Sequence, residues 1–185
     1  MAQESRSAKS PRAFRRIHGH LVLAVLALIL ARPVPATNLL GAVLVIAGLA
    51  VRLWAAGVLE KSRELCTDGP YRYVRHPLYL GSLLSAVGFA VMMNVIWGWI
   101  VVLPLFIALY LAQVFEEERH LRKAYGDEHA AYSSTVPMLL PRPWKRPKGK
   151  GRPWQWSRAL ANREHYHVLF TIGFVALFFA KAWFR

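Results

Sequence analysis

The run LYLGSLLSAVGFAVMMNVIWGWIVVLPLFIALYLAQVF, from Leu78 to Phe115, holds 38 consecutive residues without one charged side chain. As a single helix it would be about 57 Å long, about twice the hydrocarbon core of a bilayer. The run therefore predicts a helical hairpin that turns near Met93–Asn94, with Trp97 and Trp99 as interfacial anchors. Pro104 falls inside the returning arm and is expected to kink it.

Working outward, residues 39–59 form a 21-residue run whose one charge is Arg52, and about 20 apolar residues cross a bilayer. Two shorter apolar runs, Leu21–Ala31 and Val168–Ala180, are flanked by His18 and His20 and by Lys181, Trp183 and Arg185. Such side chains snorkel or anchor at an interface. The expected architecture is an all-α membrane bundle of about five transmembrane helices. Residues 17–140 form its core, with helices near 17–32, 39–59, 78–93 and 95–125. Residues 1–16 read as a disordered basic arm, 141–160 as a linker and 161–185 as the last crossing. The basic head before Leu21 resembles a signal peptide in outline, but the further apolar segments fit an uncleaved first helix.

Of the 185 residues, 55% are hydrophobic and 18% charged, which leans toward a membrane protein. The net charge of +14 invites a nucleic-acid reading, and the placement of the charge argues against it. With the N-terminus inside and five crossings, the inner segments carry twenty Lys and Arg and the outer ones three. Positive charge thus falls inside at every loop, which predicts an integral protein of the plasma or inner membrane with its N-terminus cytoplasmic. The stretch PRPWKRPKGKGRP (141–153), rich in Pro, Gly, Lys and Arg, cannot build a packed core; with Trp144, Trp154 and Trp156 it suits anionic headgroups. One cysteine, Cys66, permits no internal disulfide, and no His/Cys grouping has zinc spacing, so no metal is expected.

Two constellations fall on the same predicted side. The first is GPYRYVRHPLYLG, Gly69 to Gly81. Gly69–Pro70 marks a turn, Pro77 suits the first helical position and His76 the cap before it. A helix N-terminus favours an anionic group, and Gly81 admits a ligand or a neighbouring helix close to the backbone. Gly81, Ser85 and Gly88 form a small-residue stripe of the kind that packs membrane helices. The second is EEERHLRKAYG, Glu116 to Gly126. Here the helix is expected to run to Tyr125 and stop at Gly126, with Asp127 capping a short helix through Tyr132. Glu118 and Arg122 have the favourable i, i+4 order, and of the adjacent acids at least one should face the bundle or a cleft. The hairpin between the constellations returns the chain to its starting side, so the two can meet. Neither standard Gly-rich phosphate loop is present, nor the nucleophile-elbow pattern of hydrolases.

These residues resemble the isoprenylcysteine carboxyl methyltransferase and phospholipid methyltransferase superfamily of integral membrane enzymes. The match is to GPYxYVRHPxYxG at 69–81 and EExxLxxxYGxxxxxY at 117–132, with Val136–Pro137 beyond, over about residues 40–140. The resemblance implies an S-adenosyl-L-methionine-dependent methyltransferase with a cytoplasmic cofactor pocket. Tyr71, His76, Pro77, Leu78, Tyr79 and Glu117 would contact the cofactor, with Leu65 and Cys66 beside it. Arg75, Gln113 and Glu118 would position the reactants, no residue being assigned covalent chemistry. Prenylcysteine enzymes of the eukaryotic type place an arginine four residues before the first Glu of the pair; Gln113 stands there in this chain. The implied acceptor is lipophilic: an isoprenylcysteine-like carboxylate, a thiol or a lipid amine.

Two alternatives share the features. Membrane sterol reductases carry an RHPxYxG-like segment and bind NADPH beside it, although their second motif usually lacks the Glu pair. A non-enzymatic lipid-binding scaffold would use the same residues as an interface belt.

Overall fold

The computed structural model describes residues 11–60, 64–141 and 151–184, with backbone alone over 11–20. Every regular element among them is helical: α1 (Pro11–Leu30), α2 (Pro35–Val58), a 3₁₀ turn (Gly69–Arg72), α3 (Pro77–Met93), a π turn (Gly98–Val102), α4 (Leu103–Thr135), α5 (Trp156–Ala161) and α6 (Glu164–Trp183).

Prolines set several starts. α1 begins at Pro11, so residues 11–16 of the expected arm are helical; Pro is favourable at a first helical position because it has no N–H to lose there. Residues 1–10 of that arm lie outside the described residues, as do 142–150 of the linker with Trp144. α2 starts at Pro35, four residues before the apolar run. The Thr37 hydroxyl there donates to Val34 O (3.0 Å) and accepts from Val34 N (3.3 Å). The hairpin turns where expected. α3 ends on Asn94 in the left-handed conformation (φ 51°), which asparagine tolerates, and the Asn94 side-chain amide donates to Arg32 O (3.1 Å).

Pro104 departs from expectation. It stands at the start of α4 rather than mid-helix, directly after the π turn. Leu103 N donates to Gly98 O, an i−5 bond that widens the turn where the proline ring would otherwise clash. Further on, Gly126 breaks α4 (φ 45°, ψ −117°) and a last helical piece runs to Thr135, as its glycine predicts.

α2 and α3 pack backbone to backbone. A Cβ at Gly48 would collide with Gly81 O, and one at Gly41 with Gly88 O; the reverse clashes hold at Gly81 and Gly88. The small-residue stripe is therefore a helix-packing face. Around its far end sits a core of Ala27, Ala31, Val45, Met92, Met93 and Phe178. α6 closes on this core. Asn38 Nδ2 donates to Phe178 O (3.0 Å) and Lys181 Nζ to Leu28 O (2.5 Å) and Ile29 O (3.0 Å).

Large apolar side chains such as Ile29, Leu40, Ile46, Ile100 and Leu169 point outward, each more than half exposed. Three helical stretches, Pro35–Val58, Gly98–Thr135 and Glu164–Trp183, are long and apolar enough to cross a membrane, and Leu21–Leu30 and Pro77–Met93 are shorter apolar helices. The chain is an integral membrane protein on this ground. The uncharged part of α4 ends at Phe115, so Glu118 and the rest of α4 lie outside its apolar stretch.

Candidate active site

The chain enters α3 through a segment held on both sides. Arg75 N donates to Pro137 O (2.9 Å) and His76 N to Met138 O (3.1 Å), so the strip after α4 pairs with the strip before α3. His76 stands before Pro77, as the cap position requires, and its carbonyl accepts from Tyr79 N and Leu80 N. Its ring serves elsewhere: His76 Nε2 lies 2.7 Å from Glu118 Oε1.

Glu118 is the hub. Arg75 grips it in two places, Nε to Oε1 (2.8 Å) and Nη2 to Oε2 (3.0 Å), while Arg75 Nη1 donates to Val136 O (2.6 Å) and Ser133 O (3.2 Å). Buried His129 lies 3.7 Å from Glu118 Oε2. Burial alone would raise the Glu118 pKa, but hydrogen bonds from Arg75 and His76 outweigh it and hold the carboxyl below its usual range. Both Glu118 oxygens therefore face Arg75, and the expected pairing along the helix with Arg122 is not its role. The two constellations do meet, through Arg75 and His76 on one side and Glu118 on the other.

The rest of the predicted set is arranged around this hub. Tyr71 is buried with Cys66, Ala55 and Val58, and Tyr132 OH donates to Tyr71 O (2.7 Å). Desolvation pushes the Tyr71 phenol well above its ordinary pKa, with Cys66 and Glu117 adding to the effect. Leu65 packs with Tyr132 and Val136. Cys66 is buried, its Sγ 3.6 Å from Val58 O, which suits packing rather than reactivity. Pro77 is fully buried and Leu78 partly so. Tyr79 is edge-on to His76 (5.7 Å between centroids) and to Tyr110 (5.6 Å). Glu117 is exposed, and Gln113 is partly buried one turn before it.

Three features escaped the motif reading. Arg52 on α2 is bidentate to Glu164 on α6 (2.5 and 3.0 Å) and donates to Ser82 Oγ (2.5 Å) and Leu78 O (3.1 Å). A lone charge in an apolar run is itself a signal that a partner exists. His129, in the helical piece after Gly126, backs the hub alongside Tyr132, which the second motif already contained. The segment before α6 straps the end of α2: Gly151 N donates to Asp68 Oδ1 (2.8 Å), Gln155 N to Gly57 O (2.9 Å), and Asn162 Nδ2 to Ala56 O (3.0 Å) and Leu59 O (2.9 Å). Arg152 pairs with Glu64 and lies 3.6 Å from Glu60.

An apolar cavity of about 380 Å³ lies beyond Tyr110, between α1, α3, α4 and α6. That volume lies within the range of small-molecule sites, about 300–1,000 Å³.

A family model described as phospholipid methyltransferase matches residues 26–128. The chain is similar to the cobalt-zinc-cadmium resistance protein CzcN of Cupriavidus metallidurans, 36% identical over 93 residues, 49% of this chain and 43% of the relative. It is similar to the protein-S-isoprenylcysteine O-methyltransferase of Schizosaccharomyces pombe, 29% identical over 82 residues, 44% and 35% of the two chains. Methanethiol S-methyltransferase 1 of Bradyrhizobium diazoefficiens is 33% identical over 78 residues, 41% and 25%. These matches span less than half the length of each relative.

Proposed function

Because the chain belongs to the phospholipid methyltransferase family, we propose that it is a membrane methyltransferase that binds S-adenosyl-L-methionine beside the His76–Glu118 hub and methylates a lipophilic acceptor. When bound, that cofactor supplies an electrophilic methyl group on a sulfonium.

The observation that carries this reading is the division of labour between two adjacent acids. Glu118 is consumed by Arg75 and His76 and locks the start of α3 to α4. Glu117, one residue earlier, is exposed beside that locked helix start. A carboxylate next to a helix N-terminus complements a ligand bearing both cationic and anionic groups, so the donor set fits the cofactor. In this reading Tyr71, His76, Pro77, Leu78 and Tyr79 contact the cofactor, Cys66 packs against Tyr71 and Leu65 against Tyr132, and Gln113 lies a turn away on the acceptor side.

Methyl transfer depends on holding nucleophile, methyl and sulfur in line. The Tyr79–Tyr110 contact joins the hub to the apolar cavity, so an acceptor in the cavity would meet the donor across these rings. In this reading five helices cross the membrane and the hub faces the cytoplasm.

Calorimetric titration of the purified protein in nanodiscs tests the proposal. We expect S-adenosylmethionine to bind, NADPH not to bind, and Glu117→Ala to lose at least about tenfold in cofactor affinity, the loss of one charge-assisted contact, with unchanged helical circular dichroism. Normal affinity in that variant would overturn the assignment of Glu117; NADPH binding in place of the methyl donor would favour a reductase, and binding of neither a lipid scaffold.

A further inference from the structure

The cavity beyond Tyr110 is not uniform. Its end toward Pro77 carries Ser82, Tyr110 and His167, whereas the part farther along α3 is walled by Phe89, Met93 and Phe174. Among the described residues none of its lining side chains is an acid, a lysine or an arginine. The charges nearest that end are already matched, since Arg52 and Glu164 grip each other in two places.

The polar groups at this end differ in one respect. Ser82 donates to Leu78 O (3.1 Å) and accepts from Arg52, and the neighbouring Ser85 donates to Gly81 O (3.1 Å), so each donor is used within the bundle. His167 lines the cavity, and among the described residues its buried Nε2 has no hydrogen-bond partner. Such a buried orphan atom calls for a partner, and the described residues do not supply one. His167 lies on α6, outside the residues matched by the family model.

We propose that this end of the cavity binds the head of a neutral thiol acceptor, with His167 Nε2 as its hydrogen-bond partner and the hydrocarbon part lying against Phe89 and Phe174. The designation of this ligand as the acceptor rests on the methyltransferase reading above. The choice of thiol follows from charge. A buried carboxylate or ammonium needs an opposite charge, and the Arg52–Glu164 pair leaves none to either. Amines are mostly protonated and carboxylates ionised at neutral pH, whereas a thiol is mostly neutral. A hydroxyl is neutral too but a much weaker nucleophile. A thiol also pairs with either tautomer of a neutral imidazole, being a weak donor and a weak acceptor. His167 is thus a specificity residue, and α6 carries it.

The test uses the full chain in nanodiscs with 1-octanethiol, octylamine, octanoate and n-octane as probes, read by thermal shift without cofactor. Calorimetric affinity for S-adenosylmethionine is measured separately. In the wild type the thiol is expected to stabilise beyond octane while the amine and carboxylate do not. His167→Leu should weaken thiol binding about three- to tenfold, the worth of one hydrogen bond, leaving octane binding and cofactor affinity unchanged; His167→Gln should restore most of it. Octylamine or octanoate binding as well as the thiol, or full thiol binding in His167→Leu, would overturn the proposal. Should His167→Leu not fold, the wild-type probe series and His167→Gln still decide it. A wild type that binds thiol but not S-adenosylmethionine would overturn the donor site alone, because thiol binding is read without the cofactor.

Discussion

Glu117 and Glu118 are consecutive residues of α4 and meet opposite surroundings, one exposed and the other about nine-tenths buried. Replacing Glu118 with Gln would leave Arg75 buried without its counter-charge, and uncompensated charges of this kind cost about 3 kcal/mol or more. Unfolding of Glu118→Gln in detergent at neutral pH should show a loss of that order. The Glu118 pKa is depressed in the folded state, so its contribution is present above the ordinary carboxylate range and disappears as pH falls through the folded pKa. The stability gap between wild type and variant should therefore be wide at pH 7 and close below about pH 4; a gap independent of pH would show that Glu118 is not the titrating partner. On the alkaline side, burial raises both Tyr71 and Tyr132, and their phenols should ionise only as the protein unfolds. That one of the paired acids turns inward could be read from their adjacency. Which one could not, because successive helical positions point about 100° apart and only packing against α3 sets the phase.

At the scale of elements, the turn at Asn94, the break at Gly126, the His76–Pro77 start of α3 and the glycine stripe were all legible, since each depends on the local backbone preferences of Asn, Gly and Pro. Pro104 was misplaced because a π turn, which shifts the helix by one residue, leaves no mark in composition. The partner of Arg52 was equally hidden, because Glu164 lies 112 residues away and only the docking of α6 brings them together. Their pairing predicts strong coupling between α2 and α6. Arg52→Met or Glu164→Met alone should destabilise by about 3–5 kcal/mol, and the double variant should recover most of it, as buried ion pairs replaced by apolar side chains commonly do. Additive losses in a double-mutant cycle would mean that the two residues act independently.

For the whole molecule, the asymmetry of Lys and Arg across the segments predicts that one end of the bundle faces the cytoplasm, and this orientation can be measured. In a Cys66→Ala background, Arg32→Cys lies between α1 and α2, and Arg119→Cys lies just beyond the apolar part of α4, both at exposed positions. In right-side-out vesicles a membrane-impermeant maleimide should label the first at once and the second only after permeabilisation. Labelling in the reverse order would invert the orientation and set the His76–Glu118 hub on the outer face.

The Arg52–Glu164 pair also has a consequence in time. Ribosomes add about 5–20 residues per second, so the 112 residues that separate the two take about 6–20 s to make. During that interval Arg52 lacks its counter-charge, and Leu78 O and Ser82 become available to it only once α3 has followed. A chain interrupted before residue 164 therefore carries an unmatched cation within the bilayer, a mark by which membrane quality control could tell an unfinished copy from a finished one.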